Sequence, residues 1–166
     1  MTRETYVRMT GATRRALSHL PGGEKWLRLP TLLCAAGYAL ALLHLMLTRD
    51  IRLFRVLLVP AVCFIACTVL RPLIGRQRPY DRFGVPAVGS HLPGKGKSMP
   101  SRHTASAAAI AFALIYVLPS SLMAGAMLLL AALIAALRVL SGQHYPSDVL
   151  AALMLSGAIS LAGYLL

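Results

Sequence analysis

Two histidines, an aspartate and a set of arginines stand at spacings that suit chemistry on phosphorus. His103 closes the run Pro100-Ser101-Arg102-His103, and His144 lies six residues after Arg138 and four before Asp148. Further upstream, Arg71 and Arg78 are seven residues apart, and Pro79 and Tyr80 follow. Phosphoryl transfer spreads charge over three equatorial oxygens, so its catalysis is mostly positioning and electrostatic stabilisation. Arginine suits that task, with a permanent charge and a planar fork of donors. Arg71, Arg78 and Arg138 supply such forks. Ser101 and nearby backbone amides open a helix, where an anion is favoured. His103 and His144 offer a nucleophile and a general acid. A carboxylate at Asp148 can accept a hydrogen bond from one ring nitrogen of His144 and leave the other free to attack.

Each residue also has an ordinary reading. Arg71 or Arg138 alone would be an interfacial anchor at a helix end, and Pro-Ser before an apolar run a plain helix start. His44 and His91 read as structural histidines, and His19 as a solvated one. Tyr80, Tyr116, Tyr145 and Trp26 read as interfacial aromatics. The combination is what rises above these separate readings.

The elements that must position this set are apolar. Of 166 residues, 57% are hydrophobic and 13% charged, against roughly 25% charged in a soluble domain. Charge-free stretches alternate with arginine-rich ones, as in a chain solvated by lipid in its middle and water at its ends. The expected fold class is all-α, a polytopic membrane helical bundle of about five transmembrane helices. Their spans are 29–47, 51–70, 104–118, 122–140 and 148–166, with a turn at 119–121 and a polar catalytic loop at 71–103. Residues 1–28 form a basic segment, either an interfacial amino-terminal helix or a disordered tail, and 29–166 form the transmembrane domain. Alternate threading puts the tail, the 71–103 loop and the 138–147 connection on one side. Cys34, Cys63 and Cys67 all fall within apolar spans and read as buried free thiols.

The net charge of +12 does not make this a nucleic-acid binder. Its basic residues flank apolar spans or share one loop, and stacking aromatics are few. Contact with lipid headgroups, topology and an anionic substrate account for the excess.

The spaced residues resemble the motifs of the type 2 phosphatidic-acid phosphatase/haloperoxidase superfamily, in its membrane lipid-phosphatase branch. Those motifs are Lys-x6-Arg-Pro, Pro-Ser-Gly-His and Ser-Arg-x5-His-x3-Asp. This chain carries Arg71-x6-Arg78-Pro79, Pro100-Ser101-Arg102-His103 and Leu137-Arg138-x5-His144-x3-Asp148, over roughly residues 30–166. The resemblance implies a nucleophile at His144 that forms a phosphohistidine, oriented by Asp148, and a general acid at His103. It implies phosphate binding by Arg71, Arg78, Ser101 and Arg138, and no metal or cofactor. Arg71 stands for the family's lysine and keeps its charge, Arg102 for a glycine, adding a positive group to the phosphate set, and Leu137 for a serine. Many members have six spans; the polar tail stands where a first span would be.

The implied activity is hydrolysis of a lipid phosphate or diphosphate, of the phosphatidic acid, phosphatidylglycerol phosphate or polyprenyl diphosphate class. Partners are that substrate and membrane lipids, with no nucleic acid; oligomeric state is open. Transfer to an acceptor other than water is also within the family's range. Two alternatives differ in class. One is a non-catalytic protein that binds or moves an anionic lipid, and the other a hydrolase holding a metal on His103, His144 and Asp148. The resemblance also implies a plasma-membrane protein with its active site facing away from the cytoplasm, whereas the basic tail, by the positive-inside rule, points the other way.

Overall fold

Alanine decides which helix sits at the centre. The structure is a computed structural model and describes residues 1–89, 97–118 and 120–165. Helix α5, Arg102–Val117, buries Ala105, Ala107, Ala108, Ala109, Ala111 and Ala113. Small side chains let neighbouring backbones approach closely, which is how helices associate where lipid removes the hydrophobic drive. Four helices surround α5 and pack on it: α2 (Leu29–Leu47), α3 (Arg52–Ile74), α6 (Ser121–Leu140) and α7 (Pro146–Leu165). They turn large apolar side chains outward, Leu40, Leu58, Leu129 and Leu161 among them. Such a surface is a liability in water and the natural one in lipid.

Four helical stretches are long and apolar enough to cross a membrane: Gly23–Leu47, Arg52–Phe83, Leu122–Leu140 and Pro146–Leu165. The fifth expected span is α5, a shorter apolar helix of 16 residues. The all-α bundle is therefore as expected, and no strand occurs among the described residues.

The helix ends follow local rules. At the foot of α2, Arg49 takes a left-handed φ of 53°, and the Asp50 amide reaches back to the Leu45 carbonyl at 2.9 Å. That is the bonding of a Schellman end, with arginine where glycine is usual. The Asp50 carboxylate then accepts the Arg52 amide at 2.9 Å as α3 begins. Within α3, Pro60 has no N–H to give the carbonyl of Val56. The Tyr38 hydroxyl of α2 donates to that carbonyl at 2.8 Å instead.

One boundary departs from expectation. The polar loop was to begin at Arg71, but α3 continues through Arg71 and Pro72 and stops at Gly75, whose φ is 61°. Leu73 and Ile74 are exposed on that last turn and extend the apolar surface. A short helix, α4 (Pro79–Phe83), follows within the expected loop.

The tail forms helix α1, Arg3–Ser18, which ends before Pro21, and a 3-10 turn over Gly23–Arg28 leads into α2. The Thr2 side chain caps α1 by accepting the Thr5 amide at 3.2 Å. Tyr6 and Thr10 are buried, while Arg3, Arg8, Arg14 and Arg15 are exposed. His91, Pro119 at the expected turn and Leu166 at the end of the last span lie outside the described residues.

Candidate active site

The spacing between Arg138 and His144 is the end of a helix. Helix α6 ends at the Ser141 cap, and Gly142 follows with φ 76°. The Gly142 amide donates to the Val139 carbonyl at 2.9 Å and the Gln143 amide to the Arg138 carbonyl at 3.1 Å. This pair of bonds is the glycine-ended Schellman motif. The His144 amide joins the same Arg138 carbonyl at 3.1 Å, so one residue fixes the backbone that carries the histidine. Next, Pro146 begins α7, where its missing N–H costs nothing. The Asp148 carboxylate turns back to accept the Tyr145 amide at 2.9 Å, half of a capping box.

Asp148 is fully buried and needs compensation. Arg76 provides it: its Nη1 donates to Oδ1 at 2.7 Å and to the Ser147 hydroxyl at 2.7 Å. The Arg76 guanidinium also lies 4.3 Å from the centre of the Tyr145 ring. Ser98 donates to Oδ2 at 2.5 Å. Arg76 and Ser98 escaped the motif spacing; the signal for them was a buried carboxylate with no cation assigned to it. Tyr145, expected at the interface, is buried.

A direct His144–Asp148 hydrogen bond was expected. The Nδ1 of His144 instead stands 3.6 Å from Oδ2, beyond bonding distance, and has no hydrogen-bond partner. Oδ2 is already occupied by Ser98 and the Tyr145 amide. His144 is buried, and burial holds its imidazole below the usual range. Asp148 opposes that shift, and the charges of Arg78 and Arg71 reinforce it. The ring is therefore neutral at pH 7, with a lone pair to offer.

The arginines converge around this point. Arg78 acts electrostatically on His144, His103 and Arg138 alike. Arg138 donates to Gln143 Oε1 at 2.7 Å and reaches Thr31 Oγ1 at 3.4 Å. Arg71 is buried, and its Nε and Nη2 both donate to the Lys97 carbonyl. Ser101 is fully buried, with its amide on the Asp148 carbonyl at 3.1 Å and its hydroxyl accepting from Thr104 at 3.0 Å. The Ser101 amide, expected to help receive an anion, thus ties α5 to α7. Arg102 is exposed, with its guanidinium 5.9 Å from the centre of the Phe64 ring, and borders the same cavity as His103.

His103 is exposed and lies where two cavities of about 330 Å³ meet. One is apolar and runs among α2, α3, α5 and α6, lined by Cys34, Ala35, Phe64, Ala107, Ile110 and Ile134. The other is polar, bounded by Glu24, Arg28, Arg138 and Gln143. Thr31 and His103 border both. Among the described residues, no three His, Cys, Asp or Glu side chains converge as a metal site requires.

A family model described as the PAP2 superfamily matches residues 52–166, from the start of α3 onward. The chain belongs to the PAP2 superfamily. Its fold agrees with solved structures. LpxE of Aquifex aeolicus superposes with a TM-score of 0.72 at 22% identity, over 96% of this chain and 92% of that one. A transmembrane PAP2-type phosphatidylglycerolphosphate phosphatase of Bacillus subtilis gives 0.70 at 22% identity, over 97% and 83%. A comparison with curated proteins finds no match. Its four long apolar helices, arranged in the fold of a transmembrane PAP2 protein, make this chain an integral membrane protein.

Proposed function

We propose that this PAP2 protein is a metal-independent phosphatase acting on a lipid phosphate monoester or diphosphate, through a phosphohistidine on His144. The observation that carries the reading is the position of His103, between a basic polar cavity and an apolar one. A substrate with a phosphate head and a hydrocarbon tail fits both at once, with the scissile oxygen beside His103.

The roles we assign are these. Nδ1 of His144 faces Asp148, which leaves Nε2 to attack phosphorus. The N–P bond forms as the bond from phosphorus to the lipid oxygen breaks, and His103 gives that oxygen its proton. A water then attacks phosphorus, His103 takes its proton, and His144 leaves as a neutral ring with inorganic phosphate. Arg71, Arg78 and Arg138 hold the equatorial oxygens, Ser101 adds its hydroxyl, and Arg102 adds positive charge at the mouth of the apolar cavity. Asp148, held by Arg76 and Ser98, orients the nucleophile and stabilises its imidazolium.

The test is phosphate release by purified protein from a panel of lipid phosphates, with His144→Ala as control. Phosphatidylglycerol phosphate leads the panel, because the Bacillus subtilis protein of the same fold is named for it. We expect turnover that survives chelators, is inhibited by orthovanadate and is abolished in His144→Ala. Release by that variant at the wild-type rate would exclude the mechanism. Lipid binding without turnover by the wild type would favour a non-catalytic carrier.

A further inference from the structure

Gly142 has no room for a side chain. With φ at 76°, a Cβ there would stand 2.6 Å from Tyr6 Cε2 and Thr10 Cγ2, and 2.7 Å from the Tyr6 hydroxyl. Both residues belong to α1, which precedes the segment matched to the family. Tyr6 is fully buried, with its ring 5.3 Å from that of Phe83. Its hydroxyl donates to the Val85 carbonyl at 3.1 Å, with the Gly142 carbonyl at 3.4 Å as a second acceptor. Burial pushes this phenol up to about 12, so it remains a donor across physiological pH. Two turns further along, Thr13 donates to the Leu140 carbonyl at 3.0 Å.

An ordinary surface helix buries an aliphatic stripe, which tolerates sliding. Helix α1 docks instead through hydroxyls aimed at backbone carbonyls, and those bonds are directional. Besides Val85, the carbonyls it reaches belong to residues 140 and 142, four and two residues before His144. Holding a reactant in place matters, because a misplacement of about 1 Å can cost about a hundredfold in rate.

We propose that α1 is a positioning strap for the nucleophile: Tyr6 and Thr10 clamp the end of α6 at Gly142 and so set where the His144 imidazole stands. This rests on His144 being the nucleophile. Tyr6 is a positioning residue, since it meets the loop and not the substrate.

The test combines kinetics with hydrogen exchange in detergent-solubilised protein. Tyr6→Phe keeps the ring and loses the bond, and kcat should fall about 3- to 10-fold. Tyr6→Ala should lower kcat about a hundredfold, with KM for the lipid phosphate within about twofold of wild type. Amide exchange should quicken in residues 139–145 and stay unchanged in the middle of α3 and α7. Gly142→Ala should be at least as damaging as Tyr6→Ala, because its methyl meets Thr10 as well as Tyr6 and a left-handed φ disfavours any side chain. Tyr6→Ala with wild-type kcat and unchanged exchange would overturn the proposal. Faster exchange throughout the bundle would overturn it too, as that is loss of fold and not of position. If the wild type releases no phosphate the proposed function fails, yet exchange in residues 139–145 of Tyr6→Ala still decides the strap.

Discussion

At the residue scale, the least expected arrangement is how Asp148 is satisfied. Its carboxylate is bound by Arg76, Ser98 and the Tyr145 amide, and His144 stands just outside bonding distance. Arg76 thus moderates the pull of Asp148 on the imidazole. On the proposed mechanism attack needs neutral His144, so kcat/KM should rise with pH through the pKa of that ring, which burial holds below the ordinary range. Replacing Arg76 by alanine leaves the carboxylate charge unbalanced, which favours imidazolium and moves the acid limb to higher pH. We expect a displacement of about one pH unit in Arg76→Ala, with Arg76→Lys close to wild type. A pH–rate profile measures it, and an unmoved limb would restrict Arg76 to a structural role. His144, Asp148 and Arg138 were legible because their spacing is local, one helix end leading into one helix start. Arg76 and Ser98 were not, because they meet Asp148 from 72 and 50 residues away. Only folding shows that contact.

At the scale of elements, charge-free runs located the spans well, since a helix in lipid has no other way to satisfy its backbone. Their ends were less legible. Arg71-Pro72 read as the start of a loop, whereas α3 carries both and stops at Gly75. Proline and arginine can sit in a last turn when apolar residues follow and glycine supplies the stop. Packing between helices was also hidden. Gly163 of α7 meets α3 so closely that a Cβ would lie 2.4 Å from Val59 Cγ2. Alanine is the better helix former by about 1 kcal/mol, but overpacking of this kind costs about 1–3 kcal/mol. Gly163→Ala should therefore lower the thermal midpoint in detergent, and adding Val59→Ala should recover most of the loss. A midpoint for Gly163→Ala at or above wild type would mean that the two helices part easily.

For the whole molecule, the open question is which side of the membrane the site faces. The structure settles which parts share a side, because Tyr6 of α1 bonds to Val85 and abuts Gly142 beside His144. The tail and the catalytic loops therefore lie together, and the Arg49–Arg55 turn lies opposite. The tail brings Arg3, Arg8, Arg14, Arg15, Lys25 and Arg28, against Arg49, Arg52 and Arg55 across the bilayer. Arg52 is paired with Asp50 at 2.6 Å, which lightens the smaller group further. Counted by the positive-inside rule, the site would face the cytoplasm. Two observations weaken that count. Under the proposed function the arginines around His144 hold a phosphate, and α1 is docked beside His144 and so is not a free topogenic tail. We propose that the site faces away from the cytoplasm, with the carboxyl terminus inside. Gly94, an obvious place for a cysteine probe, lies outside the described residues, whereas Arg82 is exposed on α4 beside the site. The three native cysteines are buried, so Arg82→Cys provides the accessible thiol. In intact cells it should react with a membrane-impermeant maleimide. Reaction only after permeabilisation would show that charge set the topology and that the enzyme serves a cytoplasmic lipid pool.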